Sequence, residues 1–203
     1  MNRLRYFLFG IVLSCAAAGV CAATLVEQVQ KVLEQPAVVS GRFEQTRELK
    51  DFPKPVKSQG RFLVSREKGV LWVTEKPFSN SVRLTRSEIL QKAGDNVTMR
   101  LSADKEPAVR AINGVMFALL AGDVGELEKR FSVSGKVEAG RWSLKLVPRD
   151  SALGQVITRI DLSGQRFVET VDMEDGNGDR THIRMLDSQP ADSLGKAEAA
   201  QFD

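Results

Sequence analysis

From Ser40 to Leu101, polar and apolar positions alternate with a period of two in short runs broken by turn-forming residues. The runs are Ser40–Leu49, Ser58–Val64, Val70–Thr74, Ser81–Thr85, Ile89–Lys92 and Val97–Leu101. That period sends successive side chains to opposite faces and predicts an antiparallel meander. Its hairpins fall at Glu67-Lys68-Gly69, Arg86-Ser87-Glu88 and Gly94-Asp95-Asn96. The same alternation returns in Ser132–Glu138, Arg141–Val147, Val156–Leu162, Arg166–Met173 and Thr181–Leu186, with turns at Ala139-Gly140, Ser163-Gly164 and Gly176-Asn177-Gly178. Trp142, Leu144 and Leu146 share one face and Ser143 and Lys145 the other, the pattern of a sheet with a single buried face.

Three segments carry helical spacing instead. Leu25, Val26, Val29, Val32 and Leu33 recur on one stripe between a capping Thr24 and a stop at Pro36, which predicts an amphipathic helix up to Gln35. A second block, Ala108–Ala121, has a stripe of Ile112, Val115, Met116, Leu119 and Leu120, while Ala111, Phe117 and Ala118 fill the opposite side. A helix with no face for water must be covered on both sides, by protein or by something the protein carries. Glu126–Arg130 adds a short third piece.

The fold class is therefore mainly β, with about eleven strands in one antiparallel sheet and two or three helices. A sheet of that length curls, because right-handed twist accumulates with strand number. Its concave side is apolar, and the helices are what is available to cover it.

The two ends read differently. Arg3 and Arg5, the apolar run Tyr6–Leu13 and the small pair Ala22-Ala23 predict a cleaved secretory leader over 1–23. A lipid-anchor reading at Cys15 or Cys21 fits less well, since Arg5 crowds the run and the bulky Val20 precedes Cys21. No segment reaches the roughly 20 apolar residues that a spanning helix needs, so a soluble exported product is expected. Pro190–Asp203 is rich in Ala, Asp, Lys and Gly, which predicts one domain over 24–190 and a mobile tail over 191–203.

Loss of the leader would remove both cysteines, so the domain would be held by core burial alone, as its length permits. Without Arg3 and Arg5, 27 basic residues stand against 26 acidic ones, a formal net of +1. That balance offers no basic stripe and argues against nucleic acid as a partner. The one histidine beyond the leader, His182, with no cysteine and no Gly-x-Ser-x-Gly elbow, leaves nothing to build a nucleophilic triad or a zinc site. Asp175-Gly176-Asn177-Gly178-Asp179 starts like a calcium loop, but Arg180 stands where glycine is needed and Leu186 where glutamate is needed, so a hairpin turn is expected. No catalytic residue, cofactor or metal ligand is assigned.

Four stretches of the chain resemble the periplasmic lipoprotein carrier family, LolA and its LolA-like relatives. They are Ser40-Gly41-Arg42-Phe43-Glu44-Gln45-Thr46-Arg47, Ser58-Gln59-Gly60-Arg61-Phe62, Gly69–Phe78 with its Leu71-Trp72, and Asn113–Gly122. The Pro53-Lys54-Pro55 spacer looks closer to the LolA-like branch, often placed with export of glycolipid, polyene or other acyl products. The resemblance implies an open half-barrel, lidded by helices, that holds acyl chains while they cross the periplasm. It makes Phe43, Phe62, Trp72, Ile112, Val115, Met116, Leu119 and Leu120 candidates for the lipid-binding wall and lid. It also implies a lid contact just before the proline of the Leu-Trp strand, where the family has arginine. Counting back from Pro77 gives Lys76, and counting forward from Leu71-Trp72 gives Glu75.

The leading expectation is a non-enzymatic, monomeric carrier. It would take an acylated lipoprotein or other amphiphile from an inner-membrane exporter to an outer-membrane acceptor. The alternative is a periplasmic lipid-sensing or protein-interaction module on the same half-barrel, and a third class, an acyl-modifying enzyme, lacks a clustered acid, base or nucleophile.

Overall fold

The structure is a computed structural model and describes residues 24–106, 109, 110, 113, 117 and 124–202. The expected leader lies outside these residues. Helix α1 (Leu25–Val32) starts in a capping box: Thr24 Oγ1 accepts from the Glu27 backbone N–H at 3.3 Å, and the Glu27 carboxylate accepts from the Thr24 N–H at 2.8 Å. It ends one turn before Gln35: the Leu33 N–H still donates to Val29 O, but the Glu34 N–H donates to Arg166 O, and Arg66 donates to Gln35 O.

Eleven strands form one antiparallel sheet. They are β1 (Val38–Glu48), β2 (Val56–Ser65), β3 (Gly69–Lys76), β4 (Asn80–Leu84), β5 (Glu88–Ala93), β6 (Asn96–Ser102), β7 (Phe131–Glu138), β8 (Arg141–Pro148), β9 (Ile157–Gly164), β10 (Val168–Asp175) and β11 (Arg180–Ala191). Their order is β6-β5-β4-β3-β2-β1-β11-β10-β9-β8-β7. The first strand pairs with the last, and β6 and β7 are the two edges. They do not pair with each other, so the barrel stays open. β6 and β7 are consecutive in sequence, so residues 103–130 must pass from one edge of the sheet to the other.

The remaining helices are short: α2 (Val124–Arg130), α3 (Ser151–Val156) and α4 (Lys196–Ala199), the last continued by a 3-10 turn, Ala200–Phe202. Val109, Arg110, Asn113 and Phe117, within the second expected helix, are also helical. Helix α3 is a departure from the sequence reading, which begins a strand at Val156. Asp150 caps it through a 2.7 Å bond from the Leu153 N–H, and Leu153 enters the core. Strand β11 also runs past Leu186 to Ala191, with a bulge at Asp187, whose φ is 54°.

Strand register places the apolar residues of one parity on a single face. From β6 to β7 this face carries Leu101, Ile89, Leu84 and Val82, Val70 and Trp72, Phe62 and Val64, Phe43, Met185 and Ile183, Val171, Leu162, Leu144 and Leu146, and Phe131. Its β7–β10 half forms the main core with Val29 of α1, Leu127 of α2 and Leu153 of α3. On β9–β11 the opposite face is polar and carries Asp161, Asp172, His182 and Arg184.

The opposite face is not polar throughout. Val38, Leu63 and Leu71 form a second buried patch there, sealed by Phe202 with Leu194 against it. The C-terminal segment is therefore not the loose tail that its composition suggests: one aromatic anchor among small polar residues suffices to dock it, and Phe202 is only 6% exposed. Phe202→Ala should lower unfolding stability by about 3 kcal/mol, the usual scale for removing a buried phenylalanine, as read from the denaturant midpoint. An unchanged midpoint would show that the contact contributes nothing.

Candidate functional site: an apolar groove with two covers

The centre of the apolar face is an aromatic stack. Phe43 and Trp72 lie 3.8 Å apart between ring centroids at 26°, and Phe62 lies 6.3 Å from Trp72 at 25°. Phe43 and Trp72 are on strands separated by β2, and they reach each other because β2 offers Gly60 between them. A Cβ at Gly60 would stand 1.9 Å from the Val73 carbonyl oxygen and 3.0 Å from the Phe43 ring. Gly41 does the same for Phe62, whose ring atoms would lie 2.7 and 2.8 Å from an added Cβ. The two glycines let the rings lie flat across neighbouring strands. Phe43 and Phe62 are thereby buried, while Trp72 keeps partial exposure.

Two covers flank this stack. Phe117 closes the β2–β5 side against Val70 and Leu84, with Val64 and Ile89 beside it. Its neighbour Asn113 is buried and donates through Nδ2 to Thr85 O at 2.8 Å in the β4–β5 turn, and Arg86 of that turn lies 4.3 Å over the Phe117 ring. Among the described residues, Asn113 Oδ1 is buried without a hydrogen-bond partner.

The other cover is α1 and the turn after it. Arg166 grips the Glu34 carboxylate in a fork, at 2.5 Å from Nε and 2.9 Å from Nη2, and the Glu34 N–H bonds to Arg166 O at 2.7 Å. The hydrogen bonds from Arg166 hold the Glu34 carboxyl below its ordinary range. Beneath this turn lies a half-open apolar pocket of about 90 Å³. Leu33, Pro36, Val39, Phe62, Val64 and Met185 supply much of its wall.

The chain matches the family model described as outer membrane lipoprotein carrier protein LolA-like over residues 17–201, nearly its whole length. It belongs to the LolA-like family. Among curated proteins none matches it significantly. Similar solved structures include a LolA superfamily protein of Nitrosomonas europaea, with 10% identity and a TM-score of 0.47 over 86% of this chain and 95% of that one. A putative outer membrane lipoprotein-sorting protein domain of Vibrio parahaemolyticus has 11% identity and a TM-score of 0.47 over 88% and 94%. The MucA/MucB complex of Pseudomonas aeruginosa contains a third, with 12% identity and a TM-score of 0.46 over 89% and 61%.

In this LolA-like chain, three of the residues expected to line the groove, Phe43, Phe62 and Trp72, meet on one face, with Trp72 stacked on each of the other two. The other five, Ile112, Val115, Met116, Leu119 and Leu120, lie outside the described residues. Lys76 is exposed at the far end of β3 from the Val70–Leu84 pair on which Phe117 rests. Glu75 faces the other way and pairs with Arg61 at 3.7 Å. Among the described residues, the cover is anchored by Asn113 and Arg86 instead. His182 and Asp172, 2.6 Å apart through Nδ1, stand on the polar outer face, away from the groove. The Asp175–Asp179 turn binds its own backbone, and Arg47 lies 3.0 Å from Asp179 and 3.9 Å from Asp175, so its carboxylates are already engaged.

Sequence reasoning missed the Glu34–Arg166 and Asn113–Thr85 anchors. Both are long-range, and no local spacing marks either.

Gly60→Ala should destabilise the chain by about 1–3 kcal/mol, as overpacking does, and should alter the near-UV circular dichroism of Trp72. Unchanged stability and spectrum would mean that the strands adjust freely. Because the folded Glu34 carboxyl titrates below its ordinary 4.5, the contribution of the fork is complete above the ordinary carboxylate range and is lost as pH falls through the lowered value. Amide exchange at Leu33 and Glu34 should accelerate over that acid range in the native chain, and Glu34→Gln should flatten the dependence.

Proposed function

We infer that this chain is a periplasmic, non-enzymatic carrier that shelters the acyl chains of a lipoprotein or other amphiphile between an inner-membrane exporter and an outer-membrane acceptor. The observation that carries this reading is the continuous apolar face with an aromatic centre, overlaid by two separate covers. Membership of the LolA-like family supports it. Sheltering an acyl chain is worth about 0.8 kcal/mol per methylene, so even one chain would not cross water unaided.

The pocket beneath the α1 turn is small and half open, so taking up a whole acyl chain there would displace that cover. Beyond the apolar packing of Val29 and Phe117, one cover is fastened by a surface ion pair and the other by a single asparagine side chain. Arg66 and Arg166 are carried on turns of the sheet, so releasing their bonds to Glu34 and Gln35 would free the α1 end without unravelling a strand.

One observation favours a second reading, a sensing or protein-interaction module. The stacked aromatics fill the groove centre with the protein's own side chains.

Native mass spectrometry with organic extraction, applied to protein recovered from the periplasm of its host, should find an acylated species in near-stoichiometric amount. Met116→Glu should weaken uptake of a fluorescent acyl probe while leaving secretion intact. A protein that is empty and also fails to take up the probe would support the interaction module and end the carrier reading.

A further inference from the structure

We propose that one end of the half-barrel docks onto an anionic lipid bilayer through two exposed phenylalanines set among lysines. Of the eight phenylalanines among the described residues, five are buried, and two stand out: Phe78 is 80% and Phe52 65% exposed. Burial by core packing explains the five and leaves these two without a structural role.

Their positions are not scattered. Phe52 lies in the β1–β2 loop and Phe78 in the β3–β4 loop. Antiparallel pairing of β1 through β4 brings both loops to the same end of the sheet, two strand spacings, or roughly 10 Å, apart. At the opposite end the β2–β3 and β4–β5 turns are tipped by Glu67, Lys68, Arg86 and Ser87, and Phe167 of the β9–β10 turn is half-buried with Arg166 over its ring. Val56, 46% exposed, begins β2 beside the first loop.

The surrounding charge selects the partner. Lys50, Lys54 and Lys57 flank Phe52, and Lys76 precedes Pro77-Phe78. All four are exposed and make no ion pair among the described residues. Against them stand Glu48, Asp51 and Glu75, the last paired with Arg61, and, from the neighbouring β10–β11 turn, Asp175 and Asp179, whose carboxylates Arg47 engages. Aromatic tips that reach past the headgroups, with ammonium groups held at the surface, are the chemistry of peripheral binding to anionic membranes. A protein partner would more commonly be met by tyrosine, tryptophan and arginine in a closed patch, with lysine depleted. Among the described residues no helix is long and apolar enough to span, so this contact would be a surface one.

The inference rests on the carrier reading only for its purpose, since a shuttle must meet membranes. Its test is separate. Flotation of the protein purified from its host periplasm, with vesicles containing phosphatidylglycerol and with pure phosphatidylcholine vesicles, should show binding to the anionic set alone, weakened by salt. Phe52→Ser combined with Phe78→Ser should reduce that binding at least tenfold while the thermal transition and acyl-probe uptake in solution stay unchanged. With the cysteines of the leader removed, Phe78→Cys carrying a polarity-sensitive dye should shift to the blue on the vesicles. The proposal is overturned if the native protein ignores anionic vesicles, or if the double variant binds them equally well. It is also overturned if the variant loses cargo transfer from a membrane protein while vesicle binding was never present, which would make the rim a protein contact. Loss of probe uptake with vesicle binding intact would count against the carrier reading alone.

Discussion

Pairing of the first strand with the last fixes the rest of this molecule. Because β1 and β11 are neighbours, the meanders β1–β6 and β7–β11 grow outward on either side, and the strands consecutive at the middle of the chain become opposite edges. Residues 103–130 connect these two edges. Phe117 packs on the apolar face on one half and Leu127 on the other, so these described parts of the connection lie on that face. The cover of the groove is a topological consequence of how the sheet is threaded.

The centre of the groove depends on small residues more than on large ones. Phe43, Phe62 and Trp72 stack because Gly41 and Gly60 leave bare backbone for the rings to cross. The covers pack on the face through Val29 and Phe117 and are fastened at their margins by polar contacts, one through Glu34 and Arg166 and the other through Asn113 and the β4–β5 turn.

Period-two alternation was enough to give the sheet its strand count and nearly all its hairpins, because each strand has at least one face whose environment is constant along its length. It was not enough where both faces are buried. Phe62 and Leu63, or Val70 and Leu71, point oppositely, the first of each pair into the groove or its cover and the second toward Phe202 or the patch it seals. Their adjacency in the chain is the signature of that double burial, and reading one buried face overlooks it. Phe202 was hidden for a related reason: a single aromatic among alanines has no periodicity. The three candidate wall residues on β1, β2 and β3 were legible as large apolar side chains at matching strand positions. The anchors of the covers were not, since a bond from Asn113 to Thr85 O depends only on where the crossing segment comes to rest.

Glu44 of β1 pairs with Arg184 of β11 across 140 residues of sequence. The central ladder joins residues far apart in sequence, and the outer patch likewise brings Phe202 back to Val38, Leu63 and Leu71. Contacts of such long separation are slow to find each other. The two meanders can each form their local hairpins first, and the shared apolar face becomes continuous only when β11 docks on β1.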